Sequence, residues 1–236
     1  MTEGESSAKP RLAPFLARLR RGPLLGDGAM GTQLHARGVG FERSFDELNL
    51  TQPKLVEEIH RAYIAAGAEL IETNTFGANR IKLARHGLET RVRDINFAAV
   101  KTAREAREIS GEPVFIAGAV GPIGQQLEPI GRVTIAQATA AFEEQIAGLL
   151  EGGADLLVLE TFTNLPELLA AVSAARRTTD LPIVAQMTFA EDGLTLSAEE
   201  PSQVVQALER AGVDVIGVNC GVGPQVALQV LEAMRQ

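Results

Sequence analysis

The chain has 236 residues, of which 45% are hydrophobic and 22% charged, and a formal net charge of −8. That length suits one large domain with a full core, and the acidic balance leaves no basic patch for nucleic acid or an anionic membrane. A single cysteine excludes an internal disulfide framework, which fits a cytoplasmic protein, and no apolar run approaches the ~18 residues that cross a bilayer.

Met1–Pro10 is polar and lacks the apolar segment of a signal peptide, so it is expected to be a disordered lead-in. Residues 1–22 are assigned to that lead-in and residues 23–236 to one domain. Pro23-Leu24-Leu25 is the first short apolar run, closing in Gly26-Asp27-Gly28. Pro53 then opens a helix with Leu55, Val56, Ile59 and Tyr63 on one face, ended by Gly67. Ala68–Ile71 is the next run and leads to Glu72-Thr73-Asn74-Thr75. Val92, Ile95, Ala99 and Val100 mark a helix that ends by Gly111, and Val114–Ala117 runs into Gly118-Ala119-Val120-Gly121-Pro122.

Thr134 and Gln137 form a capping-box pattern for a helix carrying Phe142, Ile146, Leu149 and Leu150, stopped by Gly152-Gly153. Asp155–Leu159 leads to Glu160-Thr161, and Asn164 with Glu167 opens a helix burying Leu168, Leu169 and Val172. Pro182–Ala185 leads to Gln186-Met187-Thr188, and a helix from Pro201 to Gly212 buries Val204, Val205 and Leu208. Val213–Val218 ends in Asn219-Cys220-Gly221.

Six alternations of a run apolar on both faces with an amphipathic helix predict a parallel α/β fold. An open doubly wound sheet and a (β/α)₈ barrel compete. Polar residues stand at the C-terminal end of nearly every strand rather than at one switch point, which favours the barrel. Gln236 falls within the sixth helix, so about six of eight βα units are expected here. With two units missing, the first and sixth strands would be unpaired edges, and residues 1–236 alone are expected to aggregate, oligomerise or swap.

Cys220, where a buried strand gives way to a Gly-rich turn, reads either as a small core hydrophobe or as a thiol held at an opening. Gly26–Gly31 matches a dinucleotide fingerprint letter for letter, yet the next strand begins only near Ala68, too far for the compact βαβ unit that motif requires. The competing reading is a tight turn that aims Asp27 into the barrel mouth and leaves the Gly28 N–H free for a carboxylate. Glu72 and Glu160 occupy corresponding places after two strands. Each is either a salt-bridge partner or a functional acid with a raised pKa. Asp27, Glu72 and Glu160 at one rim should attract an ammonium group or a metal. Thr73, Asn74, Thr75 and Asn219 are helix caps or pocket hydrogen-bonding groups. Gly118, Gly121 and Gly124 make a wide turn that contains no lysine. His35, His60 and His86 are expected at surfaces or helix ends, and Arg176-Arg177 and Arg104/Arg107 on solvated faces.

In order, Gly26–Thr32, Glu72–Gly77, Gly121-Pro122, Glu160-Thr161-Phe162 and Asn219-Cys220-Gly221 resemble the motifs of the homocysteine S-methyltransferase domain. That domain occurs alone, in cobalamin-dependent methionine synthase, in betaine–homocysteine methyltransferase, and ahead of a methylenetetrahydrofolate reductase. The resemblance runs from about Leu24 to the C-terminus. It implies a (β/α)₈ barrel with Zn²⁺ at its mouth on three cysteine thiolates, Cys220 matching the first. Asp27 and Glu160 would bind the homocysteine amino group and the turn amides around Gly28 its carboxylate, while Glu72, Asn74 and Asn219 would line the pocket. The other two cysteines of the family, a Cys-Cys pair near the eighth strand, would lie beyond residue 236, and the chain as it stands is expected to be inactive alone. Methylfolate, methylcobalamin, betaine and S-methylmethionine all remain open as donor, and a C-terminal reductase or cobalamin/folate domain as partner. The alternative is a non-catalytic truncated barrel acting as an interaction or regulatory module.

Overall fold

A computed structural model describes residues 14–235 of the chain; the expected lead-in Met1–Pro10 lies outside them. The first elements are the helices α1 (Pro14–Leu19), α2 (Met30–Ala36), α3 (Leu48–Thr51) and α4 (Pro53–Ala65). Strand β1 (Leu70–Glu72) follows, then α5 (Arg80–Leu83), a 3₁₀ turn (Ala84–His86) and α6 (Val92–Ser110). The remainder alternates strictly: β2 (Phe115–Val120), α7 (Ile135–Gly152), β3 (Leu156–Phe162), α8 (Leu165–Thr178), β4 (Ile183–Met187), α9 (Pro201–Arg210), β5 (Val215–Val218) and α10 (Pro224–Met234).

All five strands are parallel and lie side by side in chain order, β1-β2-β3-β4-β5. The expected first strand contributes a single parallel bridge, Gly26 to Leu70, supported by Glu69 N–H donating to the Leu25 carbonyl at 2.8 Å. Consecutive order without reversal is the winding of a (β/α)₈ barrel, since a doubly wound sheet must change direction at a switch point. The fold is therefore barrel-type, with five strands among the described residues and the first of the six expected units reduced to the Gly26–Leu70 bridge.

Alternation along each strand sorts the side chains. Ile71, Ile116, Leu157, Leu159, Ile183 and Ala185 point outward and share a buried core with the helix stripes, including Val100, Phe142, Ile146, Leu149, Leu168 and Val204. Leu70, Ala117, Leu156, Val158 and Val184 point inward, where they meet Phe15 of α1. Phe15 stands edge-to-face on Phe115 at 5.7 Å, and Arg18 makes a bidentate pair with Glu69 at 2.8 and 2.7 Å. So α1, within residues 1–22, closes the N-terminal end of the barrel interior.

The same end carries a repeated clamp. Asp155 accepts the Ile116 N–H and the Arg107 guanidinium, each at 2.9 Å; Asp214 accepts the Ile183 N–H at 2.9 Å and Arg176 at 2.6 Å. Arg176 also donates to the Leu181 and Gly212 carbonyls, and Arg104 to that of Gly153. These arginines tie helix ends to strand starts, where solvated faces were expected; Arg177, paired with Glu143, is the exposed one.

His60 departs further from expectation. It is fully buried in α4, neither ring nitrogen has a hydrogen-bond partner, and burial pushes its pKa down to about 4, leaving a neutral imidazole. His35 and His86 do lie at helix ends.

Candidate active site

Most of the strand ends that sequence reading marked as functional open into one cavity of about 790 Å³ at the C-terminal end of the sheet; the Gly121-Pro122 motif after β2 is not part of its lining. Asp27, Gly28, Glu72, Asn74, Glu160, Asn219 and Cys220 all line it. Asp27 is fixed by two backbone bonds across the edge of the sheet: its N–H donates to the Leu70 carbonyl at 2.9 Å, and its Oδ2 accepts the Glu72 N–H at 3.0 Å. A Cβ at Gly28 would stand 3.0 Å from the Tyr63 ring, close enough that the ring would have to shift. None of the backbone hydrogen bonds among the described turns uses the Gly28 N–H.

Burial raises the pKa of all three acids, and neighbouring charge adds to the shift at Asp27 and Glu72. Burial pushes the Asp27 carboxyl up to about 7; the Glu72 N–H opposes that shift and the Glu160 charge adds to it. Burial holds Glu72 well above the usual carboxylate range, and the charges of Glu160 and Asp27 push it further. Glu160 is raised by burial as well, with hydrogen bonds from Glu72 and Thr161 drawing it back. Buried carboxyls this close disfavour full ionisation of the group, and the charge of Lys82 offsets this only in part, at Glu160. A bound ammonium group would restore the ionised state.

On the opposite wall, a bulge in β3 between Leu159 and Phe162 turns Thr161 into the left-handed region, φ 61°. A β-branched residue is strained there, so something must hold it. Asn219 does: its Oδ1 accepts the Thr161 N–H at 3.0 Å and its Nδ2 donates to Thr161 Oγ1 at 2.8 Å. The same Nδ2 lies 3.4 Å from Glu160 Oε2 and 3.6 Å from Cys220 Sγ, and Thr161 Oγ1 is 3.5 Å from that sulfur. Cys220 is exposed and itself left-handed, φ 56°. Gly221 follows at φ 73° with the Phe189 carbonyl 2.9 Å from where a Cβ would be, so the turn that presents the thiol admits only glycine. The reading of Cys220 as core hydrophobe fails.

Asn74 lines the cavity but turns its amide away from it. Its Nδ2 donates to the Phe45 carbonyl at 2.7 Å, and its own carbonyl accepts from Asn49 at 2.7 Å, which secures the loop before α3. Thr73 and Thr75 stitch β1 to β2: Thr73 Oγ1 accepts the Ala119 N–H at 3.0 Å, and Thr75 Oγ1 donates to the Ala119 carbonyl at 2.7 Å. They cap no helix.

Sequence reading did not single out Asp46 or Lys82, and it named Phe76 and Thr161 only within motif segments, without a role; all four line the cavity. Asp46 Oδ1 accepts the Gly77 N–H at 2.9 Å, and its burial raises its pKa. Lys82 lies with Nζ 4.1 Å from the centre of the Phe76 ring, its pKa lowered by burial and supported by the charges of Asp46, Glu167 and Glu160. No local pattern marks Asp46 or Lys82, which the fold alone brings to the cavity.

Residues 24–236 match the family described as homocysteine S-methyltransferase. The chain belongs to that family. It is 37% identical over 215 residues to a methionine synthase of Mycobacterium tuberculosis and 35% identical over 224 residues to that of Mycobacterium leprae. These alignments cover 85% and 89% of this chain but 18% of each relative, so the chain spans less than a fifth of their length. Among solved structures it is similar to the homocysteine methyltransferase MmuM from Escherichia coli in its metallated form. The TM-score is 0.80 at 28% identity, covering 94% of this chain and 83% of that one. Among the described residues of this homocysteine S-methyltransferase domain, no three His, Cys, Asp or Glu side chains come together to hold a metal ion.

Proposed function

We propose that this domain binds homocysteine and presents its sulfur for methylation, giving methionine. The observation that carries this reading is the convergence of Asp27, Glu72, Glu160 and the Cys220 thiol on one cavity. The buried acids are short of a cation, which the amino group of an amino acid provides. Asp27 and Glu160 hold the ammonium group, the Gly28 turn offers its N–H to the carboxylate, and Glu72 and Asn219 line the pocket. Asn219 also braces Thr161 beside both Glu160 and Cys220. Asn74 contributes by fixing the loop that forms the cavity wall.

A free alkyl thiol, with a pKa near the ~8.5 of cysteine, is only a few per cent thiolate at neutral pH. Complete deprotonation is worth roughly 2 kcal/mol, so most of the acceleration must come from aligning sulfur with the methyl donor for in-line displacement. Zinc dependence rests on Cys220 alone within these residues. One soft thiolate fits a corner of a tetrahedral zinc site, but by itself does not make one; two further thiolates are proposed from a Cys-Cys pair beyond residue 236. Zn²⁺ coordination deprotonates a thiol outright. The residues described here supply grip and orientation, in a domain that we place in the cytoplasm, extended from residues 23–236 to include α1, and linked to a reductase or a cobalamin/folate domain.

Two measurements on the intact protein test this. Calorimetric titration should show homocysteine binding that weakens tenfold or more in Glu160→Gln. Metal analysis should find stoichiometric zinc that is lost in Cys220→Ala. Absence of both homocysteine binding and zinc would instead support a non-catalytic interaction module.

A further inference from the structure

Away from the acids, the cavity is lined by Lys82, Arg85, Arg43 and the rings of Phe41, Phe45 and Phe76, with Asp46 among them. Lys82 rises from α5 and lays its ammonium group on the face of Phe76, 4.1 Å from the ring centre. Among the described residues, no carboxylate lies within 4 Å of that nitrogen, whereas the neighbouring Arg80 pairs with Glu144 and Arg43 with Glu47. Asp46, the acid that acts most strongly on Lys82, already accepts the Gly77 N–H at 2.9 Å. Arg85 stands next to Lys82 and bonds the Gly124 carbonyl. Both side chains converge on Gly124, where an added Cβ would lie 3.0 Å from Lys82 Cε and 3.5 Å from Arg85 Nη2. The expected wide turn begins only after β2, since Gly118 lies within that strand; its Gly121–Gly124 part, which has no lysine of its own, receives two cations, from α5 and the 3₁₀ turn that follows it.

We propose that Lys82, with Arg85, forms an anion subsite on the outer wall of the cavity and determines specificity for the second substrate. Its ligand is a carboxylate or phosphate group of the methyl donor. This rests on the methyl-transfer reading above. The subsite has a positive charge without an ion-pair partner, an aromatic platform beneath it and a second donor beside it. Because the ammonium group already occupies the Phe76 face, that ring is closed to a quaternary ammonium or sulfonium centre, which would also meet like charge. The inner acids hold the amino acid's ammonium group, and the outer cations hold the donor's anion. The two charges orient the partners against each other in one cavity.

Calorimetric titration of the intact protein at fixed ionic strength tests the assignment with three probes: inorganic phosphate, succinate and tetramethylammonium. Phosphate or succinate should bind, and whichever binds more tightly identifies the anion as phosphate or carboxylate. Lys82→Met should weaken that probe at least fivefold, Lys82→Arg should recover most of the loss, and Arg85→Gln should weaken it to a smaller extent. Failure of both anions to bind, binding of tetramethylammonium in their place, or equal anion affinity in Lys82→Met would overturn the subsite. Homocysteine titrated into the unmodified protein reports separately on the methyl-transfer reading, so the two ideas fail independently.

Discussion

Asp27 is held in the folded protein at a pKa of about 7, against 3.8 for the ordinary group, chiefly through burial. A carboxyl raised on folding binds its proton more tightly in the native state. Its contribution to stability is complete below the unfolded value near 3.8 and is lost as pH rises through about 7. Above that pH the buried charge costs up to about 4 kcal/mol. Asparagine keeps the shape and can still accept the Glu72 N–H. Asp27→Asn should therefore stabilise the ligand-free protein by about 2–4 kcal/mol at pH 8, with the gain shrinking towards zero near pH 4, while homocysteine binding is lost. Urea denaturation across that range checks this; unchanged or lower stability at pH 8 would mean that the native carboxylate is ionised and paired. The acids and the thiol were legible in the sequence because each stands at or just after the end of a short apolar run, and strand ends converge in this fold. Lys82 and Thr161 were not, since one reaches the cavity from a single-turn helix and the other acts through a backbone bulge. His60 was misread because a single stripe was assumed for α4, whose buried residues Val56, Glu57, Ile59, His60 and Ile64 cover a wider face.

Helix α7 shows how two adjacent glycines with one apparent role divide it. Both Gly152 and Gly153 read as a stop signal, but only Gly153 adopts the left-handed C-cap conformation, φ 91°. Gly152 is instead a packing residue: a Cβ there would lie 2.6 Å from Val100 Cβ in α6, and one at Gly148 would lie 2.9 Å from Asn96 Cβ. Four residues apart, they open one groove along which α6 approaches closely. Helix propensity alone predicts that Gly152→Ala gains about 1 kcal/mol. Overpacking of a tight helix contact costs about 1–3 kcal/mol, and against a β-branched Cβ with little freedom to move it should win. We expect Gly152→Ala to destabilise by about 1–2 kcal/mol, and Val100→Ala in the same chain to recover part of that loss, measured as a double-mutant cycle in urea. A stabilised single variant would show that the helices part without penalty. Helix limits themselves were readable from local chemistry: the Thr134–Gln137 capping box and the Asn164 cap on the Glu167 N–H both form as expected. Contacts between helices have no such local signature.

The molecule as a whole is a barrel wall whose sides are unequally covered. Strands β2 and β3 are buried along most of their length, but every residue of β5 is half-exposed, and α10 leaves Leu228 and Leu231 open on its outer face. At the other side, among the described residues, only the Gly26–Leu70 bridge extends the sheet beyond β1. The barrel winding was legible because polar residues follow almost every strand; α1 was not, because a six-residue helix plugging the floor has too short a period to read. Phe15 closes that floor, so the inward faces of the strands are sheltered at one end and accessible at the lateral edge. A strand edge offers unpaired N–H and C=O groups to any chain that can add to it, and apolar helix surface beside it strengthens that contact. A polypeptide limited to residues 1–236 should therefore self-associate through β5 and α10. Sedimentation velocity should show mass rising with concentration, and Leu228→Glu with Leu231→Glu should shift the distribution back towards monomer. Neither leucine lines the cavity, so their exchange leaves the acids and Cys220 in place and isolates the surface as the cause. A concentration-independent monomer that unfolds cooperatively would show that six βα units satisfy their own edges.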